Sequence, residues 1–269
     1  MIPAEVRYHR AGSVDEALRL LAEHGEEAKL LAGGHSLLPL MKLRLAVPEV
    51  LVDVGGLREL AFVEDAGDAV RIGALTRHHD LATSALLARE LPLLARAAGT
   101  VGDPQVRHRG TLGGSLAHGD AAGDLPAVVL ALDGVLVLTG PGGTREVPAA
   151  EFFVDFFETA LAPDEVLTEV RVPKRAGGWD FQKFTRRASD WAVVGVAVAG
   201  DAVALVNMGA TPLRARAVEA ALAAGSTPAE AAERAAEGTS PADEPTASAE
   251  YRRHLARVLV RRALENSRA

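Results

Sequence analysis

A chain of 269 residues with 48% hydrophobic and 24% charged content is long enough for one large domain or two modest ones with real cores. Its net charge of −7 argues against nucleic acid as a partner, because a phosphate-tracking surface needs clustered, uncompensated Lys and Arg. The absence of cysteine excludes disulfides, thiolate zinc sites, thiol redox chemistry and cysteine-ligated iron–sulfur clusters in this chain, so any redox work needs a bound organic cofactor.

In chain order, Ser13 and Glu16 form a capping-box pattern ahead of apolar residues at helical spacing, and Gly25 supplies a stop, which predicts a first amphipathic helix. Apolar runs at 28–32 and 50–54, ending at Gly33-Gly34 and Gly55-Gly56, predict strands of a small α/β unit. Residues 69–74 read as a strand and 76–87 and 91–98 as helices, the latter starting near Pro92, a favoured first-turn residue. Residues 127–132 fit either a buried helix or a strand, while 135–139 and 145–147 flank a glycine-rich turn and predict paired strands. Beyond Pro173, two β-like runs, 192–199 and 202–208, surround the turn signal Gly200-Asp201. Alanine-rich short helices, a mobile polar connection over 238–248 and a final helix over 251–264 complete the chain. In that helix Arg252, Arg253, Arg257, Arg261 and Arg262 read as a solvated face. No apolar run approaches the ~20 residues of a membrane helix. The start, Met1-Ile2-Pro3-Ala4-Glu5, lacks a signal-peptide pattern, so a cytoplasmic location is expected.

Function concentrates in two glycine-bearing segments, Ala32-Gly33-Gly34-His35-Ser36-Leu37-Leu38-Pro39 and Thr111-Leu112-Gly113-Gly114-Ser115. Removing side chains lets backbone N–H groups approach an anion, and a pair of such loops suits a pyrophosphate. His35 and Ser36 add donors, Leu37-Leu38 are expected to pack into the core, and Thr111 and Ser115 flank the second turn with hydroxyls. Neither Walker A nor the Rossmann glycine fingerprint is present. A lone Gly-Gly is also a simple tight turn, and His35 taken alone reads as a surface turn residue. His78-His79 lacks companions at ligand spacing and is not read as a metal site, and paired-carboxylate chemistry is unsupported.

Five ordered stretches carry a family resemblance: residues 31–44; residues 107–126, from Arg107-His108-Arg109-Gly110 to Gly123-Asp124-Leu125-Pro126; residues 152–173; Phe184 to Ala192; and Tyr251-Arg252-Arg253-His254-Leu255. They resemble the FAD-binding medium subunit of molybdenum hydroxylases, the carbon monoxide dehydrogenase and xanthine dehydrogenase family. The resemblance implies an α/β (α+β) architecture, a two-subdomain PCMH-type FAD-binding fold like that of vanillyl-alcohol oxidase. It would span 1–172, with subdomains of about 1–56 and 57–172, followed by a C-terminal α+β flavoprotein domain at 173–269.

By the same resemblance, Ala32, Gly33, Gly34, His35, Ser36 and Leu37 would wrap the FAD pyrophosphate, with Thr111, Gly114 and Ser115 on the other side and His118 near the phosphates. Asp124 would accept from a ribityl or ribose hydroxyl, Val101 would be a further cofactor contact, and Leu161, Lys183 and Trp191 would lie near the flavin ring. Many relatives carry asparagine where this chain has Ser115. Valine at Gly33 or Gly114 is expected to abolish FAD retention while leaving much of the fold. The implied role is electron transfer through FAD, with no catalytic acid, base or metal in this chain. Expected partners are an iron–sulfur small subunit and a molybdopterin large subunit, as a heterotrimer duplicated by a two-fold axis, and NAD or another acceptor. A free-standing FAD oxidoreductase and a nucleotide-binding regulator are the alternatives. The roles of Arg186 and Arg187 stay open.

Overall fold

The computed structural model describes residues 2–269; Met1, the first residue of the N-terminal pattern noted above, lies outside them. The first lobe comprises β1 (Arg7–Arg10), α1 (Val14–His24), β2 (Ala28–Leu31), α2 (Leu37–Leu43) and β3 (Val50–Asp53), with an all-parallel sheet in the order β1-β3-β2. Ser13 caps α1 by accepting from the Glu16 N–H at 3.1 Å. The Glu16 carboxylate does not close the box on Ser13 but accepts from the Gly12 N–H at 2.8 Å. α1 covers the sheet through Ala17, Leu20 and Leu21, so a small core of its own fixes the loop that leaves β2.

The second lobe begins with β4 (Val63–Asp65), β5 (Ala69–Gly73), α3 (His78–Thr83), α4 (Ala85–Glu90), α5 (Pro92–Gly99), α6 (Pro104–Arg107), α7 (Leu112–His118) and α8 (Asp124–Ala131). It continues through β6 (Val135–Gly140), β7 (Gly143–Pro148), α9 (Ala149–Phe152), β8 (Phe153–Asp155), β9 (Glu158–Thr159) and β10 (Val166–Pro173). Its five-stranded sheet runs β4-β5-β10-β6-β7, with β10 antiparallel to both β5 and β6 at the centre. The single helix expected over 76–87 is two, because Ser84 leaves helical geometry and caps α4 through the Leu87 N–H. The ambiguous run at 127–132 is largely helix: every residue of α8 is buried, so no amphipathic period marks it.

The third lobe holds β11 (Trp179–Phe184), β12 (Val194–Ala199), β13 (Ala202–Val206), β14 (Leu213–Arg214), α10 (Arg216–Ala223), α11 (Pro228–Ala232) and α12 (Ala249–Asn266). β12 is buried throughout because both its faces are covered. Val194, Val196 and Val198 join the core under the C-terminal helices, whereas Ala197 and Ala199 belong to the core of the second lobe.

Two expectations are corrected here. Arg252 is 1% exposed, not part of a solvated face: it donates to the Val193 carbonyl at 2.7 Å and pairs with Glu244. The connection over 238–248 is also anchored, by that pair, by the Ser240 N–H on the Met208 carbonyl at 3.0 Å, and by burial of Pro241 and Ala247.

Candidate functional site

A cleft of about 890 Å³ lies between the first two lobes and reaches the third, within the size range of cofactor sites. All the residues singled out above as cofactor contacts line it. Ala32, Gly33, Gly34, His35, Ser36 and Leu37 form one wall, and Val101, Thr111, Gly114, Ser115, His118, Asp124 and Leu161 the other, with Lys183 and Trp191 contributed by the third lobe.

The first glycine segment follows β2 and turns into α2 through Gly34, whose φ of 77° is the left-handed region that glycine tolerates. From residue 33 to residue 37, no backbone N–H donates to another group among the described residues. Backbone donors are nearly always paired in folded proteins, so five free ones in succession at a cleft wall are donors available to an anion. Leu37 is half-buried, whereas Leu38, expected in the core, is exposed on the outer side of α2.

The second segment works differently from the reading of paired N–H loops. Thr111 caps α7, and its hydroxyl accepts from the Gly114 N–H at 3.1 Å. The Leu112, Gly113 and Ser115 N–H groups donate to the carbonyls of Thr76, Ala74 and Thr111. The N–H groups of 112–115 are therefore spent inside the protein. Gly113 serves packing, since a Cβ there would lie 2.5 Å from Ala74 Cβ. The first segment also packs on the backbone leading into the second: a Cβ on Gly33 would lie 2.2 Å from the Arg109 carbonyl oxygen and 2.9 Å from Gly110 Cα.

At the other end, Lys183 Nζ donates to Asp124 Oδ2 at 2.6 Å and to the Thr100 carbonyl at 3.1 Å. Burial pushes the Asp124 carboxyl up to about 6, with the Lys183 ammonium opposing. Asp124 Oδ1 has no partner, which leaves an acceptor ready for a ligand hydroxyl. His118 is half-buried against Phe157, ring centroids 4.9 Å apart, and burial lowers its pKa. A row of free N–H donors, a spare carboxylate acceptor and an apolar rim at Leu161 and Trp191 fit a diphosphate-linked flavin dinucleotide.

His78, set aside above as a metal ligand and not expected at the cofactor, is buried, lines the cleft and contacts Ser115. The only signal for it is tertiary, the bridge between Arg77 and Thr111. Arg186 and Arg187 are exposed and form no ion pair among the described residues. No group of three or more metal-ligating side chains occurs among the described residues, and no helix there is long and apolar enough to cross a membrane.

Trp191 is 59% exposed at the rim, so core packing does not account for it. Trp191→Ala is expected to change stability by no more than about 0.5 kcal/mol while altering the fluorescence of bound flavin. Thermal melts and flavin emission of the loaded protein check this; a lowered Tm with unchanged emission would assign Trp191 to packing.

The family model for the FAD binding domain in molybdopterin dehydrogenase matches residues 4–175, and that for the CO dehydrogenase flavoprotein C-terminal domain matches residues 179–267. The carbon monoxide dehydrogenase medium chain of Hydrogenophaga pseudoflava is 43% identical, over 98% of this chain and 97% of its own. The 6-hydroxypseudooxynicotine dehydrogenase complex subunit alpha of Paenarthrobacter nicotinovorans is 38% identical, over 98% and 95%. A solved structure of carbon monoxide dehydrogenase from Hydrogenophaga pseudoflava superposes with a TM-score of 0.96 at 44% identity, covering 99% of this chain and 98% of that one.

Proposed function

The chain belongs to the FAD-binding medium subunits of molybdenum hydroxylases, the carbon monoxide dehydrogenase and xanthine dehydrogenase family, and on that premise we propose that it is the electron-exit subunit of such a complex. In this reading an iron–sulfur small subunit delivers electrons won at a molybdopterin large subunit, and NAD or another acceptor receives them. Bound FAD supplies the redox chemistry, accepting electrons and passing them on. The chain's own residues bind and orient. The free N–H groups of 33–37 hold the diphosphate, and Asp124 Oδ1 accepts from a hydroxyl of the ribityl or ribose chain. Lys183, held by Asp124, places a fixed positive charge at the ring end, and Trp191 limits access to it. No side chain of the cleft is assigned a proton transfer.

The observation that carries this reading is the uninterrupted row of unpaired N–H donors at 33–37. A cytoplasmic setting and a two-fold duplicated heterotrimer are part of it. The substrate is left to the partner subunits, since relatives of comparable identity bear the names of carbon monoxide and 6-hydroxypseudooxynicotine dehydrogenases.

Co-expression with an iron–sulfur and a molybdenum subunit from the same source is expected to yield a complex whose substrate bleaches the flavin absorbance of this chain. The chain alone should release noncovalent FAD on acid precipitation and show only slow reduction by NADH. Efficient substrate oxidation by the lone chain would establish a free-standing oxidoreductase instead, and a chain that binds no flavin would leave only a nucleotide-binding regulator.

A further inference from the structure

Because the N–H groups of 112–115 are spent, what this wall offers an anion must come largely from side chains. Ser115 is half-buried on the cleft wall, and its hydroxyl has one side-chain partner among the described residues, His78 Nε2 at 3.3 Å. His78 stands behind it, 3% exposed. Its N–H donates to the Gly110 carbonyl at 3.0 Å, and Arg77 bridges Thr111, so the backbone carrying the imidazole is clamped to the segment it serves. The fit is tight: a Cβ on Gly110 would lie 2.7 Å from His78 Cδ2.

Burial, with Arg77, His35 and Arg107 nearby, lowers the His78 pKa to about 4, so the ring is neutral at physiological pH and carries one proton for two nitrogens. Nδ1 has no partner. A proton on Nε2 donates to Ser115 Oγ and leaves the serine hydrogen free for an anion. The other tautomer consumes that hydrogen and turns the serine lone pairs toward the anion, which opposes binding.

We infer that His78 is a positioning residue that holds the Ser115 hydroxyl as a hydrogen-bond donor to the FAD diphosphate, an inference that rests on the reading of the cleft as the FAD site. The test is a double-mutant cycle on the FAD affinity of the full chain, freed of flavin and titrated by fluorescence. Ser115→Ala and His78→Phe are each expected to weaken binding about tenfold or more, the effect of one hydrogen bond to a charged group. The double variant should bind no more weakly than either single one, because the two changes remove the same contact. His78→Gln, whose amide nitrogen reaches toward the Nε2 position, should bind close to wild type, and the shorter His78→Asn should behave like Ser115→Ala. Losses that multiply in the double variant, or equal behaviour of the Gln and Asn variants, would overturn the inference. Wild-type chain that binds no FAD would overturn the reading of the cleft itself, and this inference with it.

Discussion

Gly33→Val is expected to leave the chain without flavin and less stable by about 3 kcal/mol, because the new side chain starts 2.2 Å from the Arg109 carbonyl oxygen and forces the two glycine segments apart. The expectation that this substitution spares the fold is therefore revised: Gly33 closes the protein on itself before it admits a ligand. Gly114→Val separates the two effects. Its Cβ would meet Thr111 Oγ1 at 2.7 Å and Ala32 Cβ at 3.9 Å. It therefore costs mainly the helix cap, about 1 kcal/mol, while still intruding between the segments. Flavin-to-protein absorbance ratios and urea unfolding measure both. Full flavin occupancy in a normally stable Gly33→Val protein would refute the account.

Lys183→Met should be comparably damaging, by about 3–5 kcal/mol at neutral pH, because it strands a buried carboxylate without its counter-charge. The side chains of Lys183 and Asp124 are only 10% and 5% exposed, so solvent does little to screen the loss. The pair also sets a pH dependence. Asp124 titrates at about 6 in the fold against 3.8 as a free group, so the folded state binds its proton more tightly than the unfolded one. The stability this proton confers is complete below pH ~4 and is lost as pH rises through about 6, a change of up to about 3 kcal/mol in flavin-free protein. Asp124→Asn should remove that slope, and Lys183→Met should move it to higher pH, since the opposing cation is gone. Urea unfolding between pH 4 and 8 reads all three. Equal stability of Lys183→Met and wild type at pH 7 would show that the pair is not coupled to folding.

What the sequence disclosed was local. Gly33-Gly34 announced its turn, Pro92 opened α5, and Gly200-Asp201 joined β12 to β13, because glycine, proline and capping side chains act on their immediate neighbours. What it concealed was decided at a distance. The second glycine segment looks like the first as a string, yet two of its N–H groups are taken by Ala74 and Thr76 on the strand exit beside it, and two more by Thr111. Arg252 has the helical spacing of a surface residue and is buried because Val193 and Glu244 meet it from elsewhere in the chain. β10, not singled out as a strand, is the central strand of the five-stranded sheet, paired with β5 and β6 from distant parts of the chain. The cleft residues came together because the family resemblance, unlike periodicity, carries tertiary information.

The two-sided burial of β12 bears on how the flavin edge is reached. The alanine side of that strand, with Phe181, Ala204 and Val206, is continuous with the apolar interior around α8, so the sequence boundary near residue 173 does not separate two independently packed bodies. Swinging the last lobe away would tear open a shared core, whereas hinged lids depend on weakly packed junctions. On the proposed reading, an electron acceptor would therefore meet a fixed aperture, its access set by rim side chains such as Trp191 and not by the opening and closing of a domain.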